Sequence, residues 1–288
     1  NVFMKIIDII NKKQTLSFEF FPPKDPSNIG NLNKTIDDLS KFNPDFVSFT
    51  YGAGGSTRKL TLEISAKTKN SNFSSEVMSH LTCITHTENE IIEILNNYEQ
   101  SNIENIIALR GDLPKNSDEV KNHLPHATDL IEIIKNHSNN FCIAAACYPE
   151  SHPESSSKDN DLNSIKLKQS KGADFLITQL FFNNNDFFNF RDMAIKSGVK
   201  IPIIPAIMPI TSTKQIRKFT DMCGASIPDS LNKKLETSIN NDEETTKFGI
   251  EFATNQIKEL LDNNVNGIHF YSLNKSRSVK EVINNINI

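Results

Sequence analysis

The sequence predicts an α/β protein whose parallel strands close into a TIM (β/α)8 barrel, and three observations carry that reading. Eight short apolar or alternating segments recur along the 288 residues, each followed by a stretch with helical periodicity. Strict alternation of strand and helix implies a parallel sheet, because each parallel connection needs a crossover. Eight such units over residues 1–288 fit one barrel domain better than an open doubly wound sheet. The fingerprint that would favour the open sheet is missing, since Gly52-Ala53-Gly54-Gly55 lacks the glycine spacing of a dinucleotide loop.

The first strand is Leu16-Ser17-Phe18-Glu19-Phe20-Phe21, and Pro22-Pro23 ends it because proline cannot donate to a ladder. Side chains alternate along it, so Phe18 and Phe20 share one face and Ser17, Glu19 and Phe21 the other. Ile29, Leu32, Ile36, Leu39 and Phe42 then recur at helical spacing up to the Asn43-Pro44 stop. Asp45 to Tyr51 is the second strand, followed by the glycine loop and a helix capped near Ser56 or Thr57. Val77 to Cys83 is the third, and Thr87 and Glu90 form a capping box for the helix of Ile91, Ile94, Leu95 and Tyr98.

Asn105 to Arg110 is the fourth strand, leading through Gly111-Asp112-Leu113-Pro114 to a helix with Leu130, Ile133 and Ile134. Phe141 to Tyr148 is nearly all apolar, as expected of a strand buried on both faces. A helix through Leu162, Ile165 and Leu167 follows, then a sixth strand from Asp174 to Leu180 and a helix with Phe187, Phe190 and Ala194. Ile201 to Ile207 is the seventh strand, and Ile216, Phe219 and Met222 lie on its helix. Two further helical patterns at 228–264 are extra helices between strands seven and eight. Gly267 to Ser272 is the eighth strand, and Ser278 with Glu281 caps a last helix.

Bulk properties exclude several classes. The net charge is -4, from 31 basic and 35 acidic residues with neither sign in long runs, which argues against a nucleic-acid surface or a polybasic membrane anchor. No apolar run approaches the roughly 20 residues needed to span a bilayer. No signal-peptide pattern opens the chain, and Met4 is the expected natural start. Cys83, Cys142, Cys147 and Cys223 make no CxxC pair, so reduced thiols in a cytoplasmic protein are expected.

In a barrel the chemistry sits on the loops that follow the strands. Glu19, Thr50, Tyr51, His80, Arg110, Asp112, Tyr148, His152, Gln179 and Tyr271 gather at those ends. Singly each has a plainer use: a core histidine, a local ion pair, a packed tyrosine. Together, at seven strand ends, they favour a site. The acids and histidines are spread without a ligand cluster, so no metal is expected. Glu19 stands out as a carboxyl in an apolar strand, where burial favours a raised pKa suited to a general acid.

These residues fall into motifs that resemble methylenetetrahydrofolate reductases of the bacterial type. The motifs are Phe18-Glu19-Phe20-Phe21-Pro22-Pro23, Thr50-Tyr51-Gly52-Ala53, His80-Leu81-Thr82-Cys83, Leu109-Arg110-Gly111-Asp112-Leu113-Pro114, Tyr148-Pro149-Glu150-Ser151-His152-Pro153, Ile177-Thr178-Gln179 and His269-Phe270-Tyr271-Ser272-Leu273-Asn274. They occur in the family's order and span the chain. The resemblance implies a barrel that binds FAD, takes reducing equivalents from NADH or NADPH, and reduces 5,10-methylenetetrahydrofolate to 5-methyltetrahydrofolate for methionine synthesis by a ping-pong mechanism. It implies a homo-oligomer. By the same resemblance Glu19 is the acid that opens the folate ring, and Asp112 lies near flavin and pterin. Gln179, Phe219, Gln215, Tyr271 and Lys275 match substrate positions. Thr50, Tyr51, Ala53, His80, Arg110, Gly111, Asp112, Ala127, Tyr148, His152, Asp161, Ser164 and Lys168 match flavin positions.

Some residues depart from the pattern. Ser164 and Leu167 stand where the bacterial pattern has Asn and Arg, so one flavin-side cation is missing. His126 replaces an aromatic beside Ala127. Lys275 stands where an Arg would meet the folate tail, keeping the charge without the bidentate fork, and Arg277 is a nearby substitute. The alternative reading is a folate-binding barrel that transfers a one-carbon unit without redox chemistry.

Overall fold

A computed structural model describes residues 4–52, 58–71, 73–112 and 124–286. Its strands are β1 (Thr15–Phe20), β2 (Phe46–Phe49), β3 (Glu76–Thr82), β4 (Asn105–Leu109), β5 (Cys142–Cys147), β6 (Phe175–Thr178), β7 (Ile203–Ile204), β8 (Ala206–Ile207) and β9 (Gly267–Tyr271). All pair in parallel, in the order β7-β6-β5-β4-β3-β2-β1-β9-β8. Because β7 and β8 are successive halves of the seventh strand, this order closes a ring: β7 pairs with β6 and β8 with β9. The TIM-type barrel read from the sequence is therefore the fold.

Pro205 causes the split. It has no N–H to give the ladder; instead the Thr178 hydroxyl oxygen accepts from the Ala206 N–H at 2.9 Å, while the Pro205 carbonyl accepts from His269 at 3.1 Å. The seventh strand thus changes partner at a residue where one face of its hydrogen bonding fails anyway.

The helices are α1 (Ile6–Ile10), α2 (Ile29–Ser40), α3 (Arg58–Lys69), α4 (Glu88–Gln100), α5 (Ala127–His137), α6 (Lys158–Lys171), α7 (Asn184–Lys196), α8 (Thr213–Cys223), α9 (Asp229–Thr237), α10 (Asp242–Asp262) and α11 (Ser276–Ile286). The Thr87–Glu90 capping box is present at α4. Helices α9 and α10 are the additional pair between the seventh and eighth strands. The last helix starts at Ser276, so Ser278 is a buried residue inside it rather than its cap. The loop proposed to cap a helix at Ser56 or Thr57 lies outside the described residues.

Alternation along the strands makes two cores. Phe18, Phe20, Val47, Phe49, Val77 and Leu81 point outward and pack with Leu32, Ile36, Leu39 and Ile91 of the surrounding helices. Burying one such side chain stabilises by about 1.5–3 kcal/mol. Phe46, Met78, Ile107, Cys142, Ala144, Phe175, Ile177 and Ile204 fill the barrel interior. One end of that interior is plugged by α1, a helix the sequence pattern does not announce. Its Ile6 and Ile10, one turn apart, join the interior cluster, and the Ile6 N–H donates to Asn105 Oδ1 at 2.9 Å. The plug leaves the opposite end, where the strands finish, for polar groups.

The long helix α10 lies hard against the segment after β8. A Cβ on Gly249 would sit 2.0 Å from the Ile210 carbonyl oxygen. Gly249→Ala therefore forces backbone apart, and urea unfolding is expected to show a loss of about 1–3 kcal/mol despite the better helix propensity of alanine. Unchanged or increased stability would contradict this packing.

Candidate active site

Above the apolar interior the barrel opens into a cavity of about 620 Å³ at the strand C-termini. Glu19, Thr50, Tyr51, His80, Arg110, Gly111, Asp112, Ala127, Tyr148, His152, Lys168, Gln179, Phe219 and Tyr271 line it. Register explains the convergence. Glu19 of β1 stands beside Ser48 of β2 and Tyr271 of β9, so all three share the inward face at the top of the barrel.

Glu19 is held by two imidazoles. His80 Nε2 is 3.3 Å from Glu19 Oε2, and His269 Nε2 is 3.8 Å from the same oxygen. His80 and His269 are buried, whereas the Glu19 side chain keeps 21% exposure toward the cavity. Behind His269, its Nδ1 lies 2.8 Å from Ser17 Oγ, whose hydroxyl donates to the Ile268 carbonyl at 3.3 Å. That leaves the Ser17 oxygen as acceptor, which places a proton on His269 Nδ1. His80 Nε2 has no well-aligned hydrogen bond among the described residues, and Glu19 Oε2 is the carboxylate within ion-pair distance of it. Burial alone raises the Glu19 carboxyl, but the imidazoles of His269 and His80 close to its Oε2 outweigh it and hold the group down to about 2. The raised value expected from the apolar strand is thus corrected. The neighbours Phe18 and Phe20 face outward, and what surrounds the carboxyl is imidazole.

Two tyrosines near this group stay neutral. Burial pushes the Tyr271 hydroxyl well above its usual value, and it donates to the Thr178 carbonyl at 2.8 Å. Burial pushes Tyr148 up to about 12 against an opposing hydrogen bond with Gln179. Both therefore offer hydroxyls rather than charge.

The other side of the cavity is cationic. Lys168 donates to the Ala146 carbonyl at 2.8 Å, and burial lowers its pKa. Among the described residues it has no carboxylate within ion-pair distance, although the charge of Asp161 acts on it from further off. Arg110 forms a bidentate pair with Glu154. His152 Nδ1 accepts from the Glu154 N–H at 3.0 Å, so a neutral His152 carries its proton on Nε2. Burial, with Arg110 and Lys168 nearby, pushes His152 down and favours that neutral form. Gly111 adopts φ +88, and a Cβ there would lie 2.9 Å from Thr82 Cβ, so bare backbone is required at this wall.

Several sequence-identified residues lie elsewhere. Asp161 does not line the cavity; its Oδ2 accepts from the His152 N–H at 3.3 Å and so holds the loop. Ser164 is exposed on α6. Gln215 lies on α8 outside the cavity lining. Lys275 is exposed at the rim, with Nζ donating to Thr211 Oγ1 at 3.2 Å. Arg277, the nearby alternative to Lys275, is paired with Glu243 and Glu281 on the surface. Ala53 lies outside the described residues. His269 was absent from the candidate residues although it alternates with Tyr271 on one strand face. Among the described residues no group of three His, Cys, Asp or Glu side chains is arranged to hold a metal, and no helix is long and apolar enough to cross a membrane.

A closed parallel barrel with an acid, imidazoles and cations collected at its strand C-termini defines the chain as a TIM-barrel protein with a candidate site on the face such barrels use. The family model for methylenetetrahydrofolate reductase matches residues 3–287, and the chain belongs to that family. The 5,10-methylenetetrahydrofolate reductase of Salmonella typhimurium is 38% identical over 262 residues, covering 91% of this chain and 86% of that protein. Methylenetetrahydrofolate reductase (NADH) 1 of Arabidopsis thaliana is 35% identical over 303 residues, covering 99% of this chain. The chain spans about half the length of that plant relative, 51%. Among solved structures, an uncharacterized protein from Clostridium thermocellum that binds two copies of 5-methyl-5,6,7,8-tetrahydrofolic acid superposes with a TM-score of 0.71. It covers 97% of this chain and 96% of its own, at 16% identity, and so speaks to the fold alone.

Replacing His80 by Leu removes one of the groups that depress Glu19. In a carbon-13 NMR titration the Glu19 carboxyl is expected to move up from about 2 toward its usual 4.5. A depressed carboxyl stabilises the fold above its unfolded value and loses that contribution as pH falls through its folded value. The variant should therefore lose part of the wild-type stability slope between about pH 4.5 and 2. A Glu19 titration identical in both proteins would contradict the assignment.

Proposed function

We propose that this chain reduces 5,10-methylenetetrahydrofolate to 5-methyltetrahydrofolate, with FAD as cofactor and NADH or NADPH as reductant, supplying methyl groups for methionine synthesis. The observation that carries this reading is a titratable carboxyl, Glu19, facing the same cavity as the cations Arg110 and Lys168. One part suits a reaction that needs a proton and the other an anionic cofactor or substrate.

The donor set fits FAD. Arg110 and Lys168 suit a pyrophosphate, the His152 Nε2–H is a neutral donor, and the bare Gly111 backbone allows close approach. Thr50, Tyr51, His80, Ala127 and Tyr148 complete that wall. When bound, FAD supplies the hydride chemistry that no side chain offers. Asp112, an exposed acid on the cavity wall, would accept hydrogen bonds from a pterin and disfavour negative charge beside it. Asp161 and Ser164, outside the described lining, would support this site from α6.

The remaining chemistry belongs to the residues. The folate ring must open before it accepts hydride, and opening requires a proton on the leaving nitrogen. Glu19 donates that proton. It is ionised in the free protein, so it must first gain one. Filling the cavity removes water from the carboxylate and raises its pKa, so that it takes up a proton there. Gln179, Phe219 and Tyr271 line the space left for the pterin ring. Gln215 and Lys275, beyond the lining, would meet only the outer part of a long folate. The same cavity takes nicotinamide nucleotide and folate in turn, which gives ping-pong kinetics.

The test separates the half-reactions under anaerobic stopped flow. Glu19→Gln is expected to keep flavin bleaching by NADH within a fewfold and to lose folate-dependent reoxidation by about 10²–10⁴, the range of general acid catalysis. Equal loss in both half-reactions would contradict the acid role. A folded protein that stays colourless after incubation with FAD would contradict the redox reading and favour one-carbon transfer without it.

A further inference from the structure

We propose that Glu154 sets the affinity of this chain for a pyrophosphate-bearing cofactor by competing with the pyrophosphate for Arg110. The proposal rests on the FAD reading above and goes beyond it to a residue whose carboxylate is itself anionic.

The geometry is specific. Arg110 Nη2 donates to Glu154 Oε1 at 2.8 Å, its Nη1 donates to Glu154 Oε2, and its Nε donates to the Gly111 carbonyl at 3.3 Å. The fork that would grip a phosphate bidentately is therefore filled by a carboxylate in the same bidentate manner. Arg110, Glu154 and Lys168 all line the cavity. Only Lys168, of the two cations, has no carboxylate partner among the described residues. The position where the family pattern has a further cation is Leu167, 46% exposed and uncharged. A pyrophosphate placed here meets one available cation unless Glu154 lets go of the other.

Release is cheap. The Glu154 side chain is 58% exposed and Arg110 is 29% exposed, so the pair is partly solvated and weak. Only the carboxylate need move. The Glu154 N–H stays bonded to His152 Nδ1 at 3.0 Å, which keeps the His152 proton on the nitrogen that can face a ligand. Swinging the carboxylate into water frees the guanidinium without dismantling the loop.

Binding to flavin-free protein tests this by calorimetry, with two probes: FAD, and ADP as a pyrophosphate lacking the flavin. Glu154→Gln and Glu154→Ala are each expected to bind both probes roughly two- to fivefold tighter at low salt, the factor an exposed ion pair of this size allows. In an Arg110→Gln background the same Glu154 changes should have no effect. Equal or weaker binding by both Glu154 variants would overturn the competition and make Glu154 a support that orients Arg110. Wild-type protein binding FAD but not ADP would also overturn it, since the pyrophosphate would then not be the group recognised. Binding of neither probe by folded wild-type protein would overturn the cofactor reading itself.

Discussion

The Glu19 carboxylate between two buried imidazoles is the contact around which the upper half of this barrel is arranged. Parallel register puts Glu19, His80, His269 and Tyr271 on inward faces, and the Ser17–His269 bond fixes one ring from below. A carboxyl there without partners would suffer the full cost of burial. With them it is ionised and still faces the cavity. The same arrangement makes the proposed acid role conditional. A group held at about 2 has no proton to give until its surroundings change, and the change available is loss of water when the cavity fills. In that proposal, ionisation in the free protein and acidity in the complex are two states of one balance between desolvation and the neighbouring imidazoles.

The opposite wall solves a similar problem with opposite sign. Cations in a partly enclosed cavity are costly, and the chain handles them in two ways. Lys168 is pinned on a backbone carbonyl and depressed by burial, while Arg110 is neutralised by Glu154. His152 stays neutral between them. The result is a cationic wall whose charge is tempered within the protein itself, with the uncharged Leu167 on the adjoining helix.

Much of this was legible in the sequence because barrels tie function to periodicity. Eight strand–helix units named the fold, and the polar residues ending the strands named most of the cavity lining. The failures have physical causes. The short helix α1 holds five residues, too few for periodicity to announce it, and it forms because the barrel end needs a plug. Pro205 divides the seventh strand, which a run of apolar residues hides. The Glu19 environment was misjudged because neighbours along a strand point the other way; the groups that matter, His80 and His269, come from other strands. Glu154 and Arg277 differ for the same reason, since ion pairing between loops distant in sequence cannot be read from either loop alone.

The central claim is that Glu19 is ionised in the free protein and takes up a proton when the cavity fills. Infrared difference spectroscopy on protein carrying carbon-13-labelled glutamate measures this directly. On adding 5-methyltetrahydrofolate to the FAD-loaded enzyme, the account predicts loss of a carboxylate band and gain of a protonated carboxyl band, both missing in Glu19→Gln. A protonated Glu19 band already present in the free protein at neutral pH, or a carboxylate that persists in the complex, would contradict it.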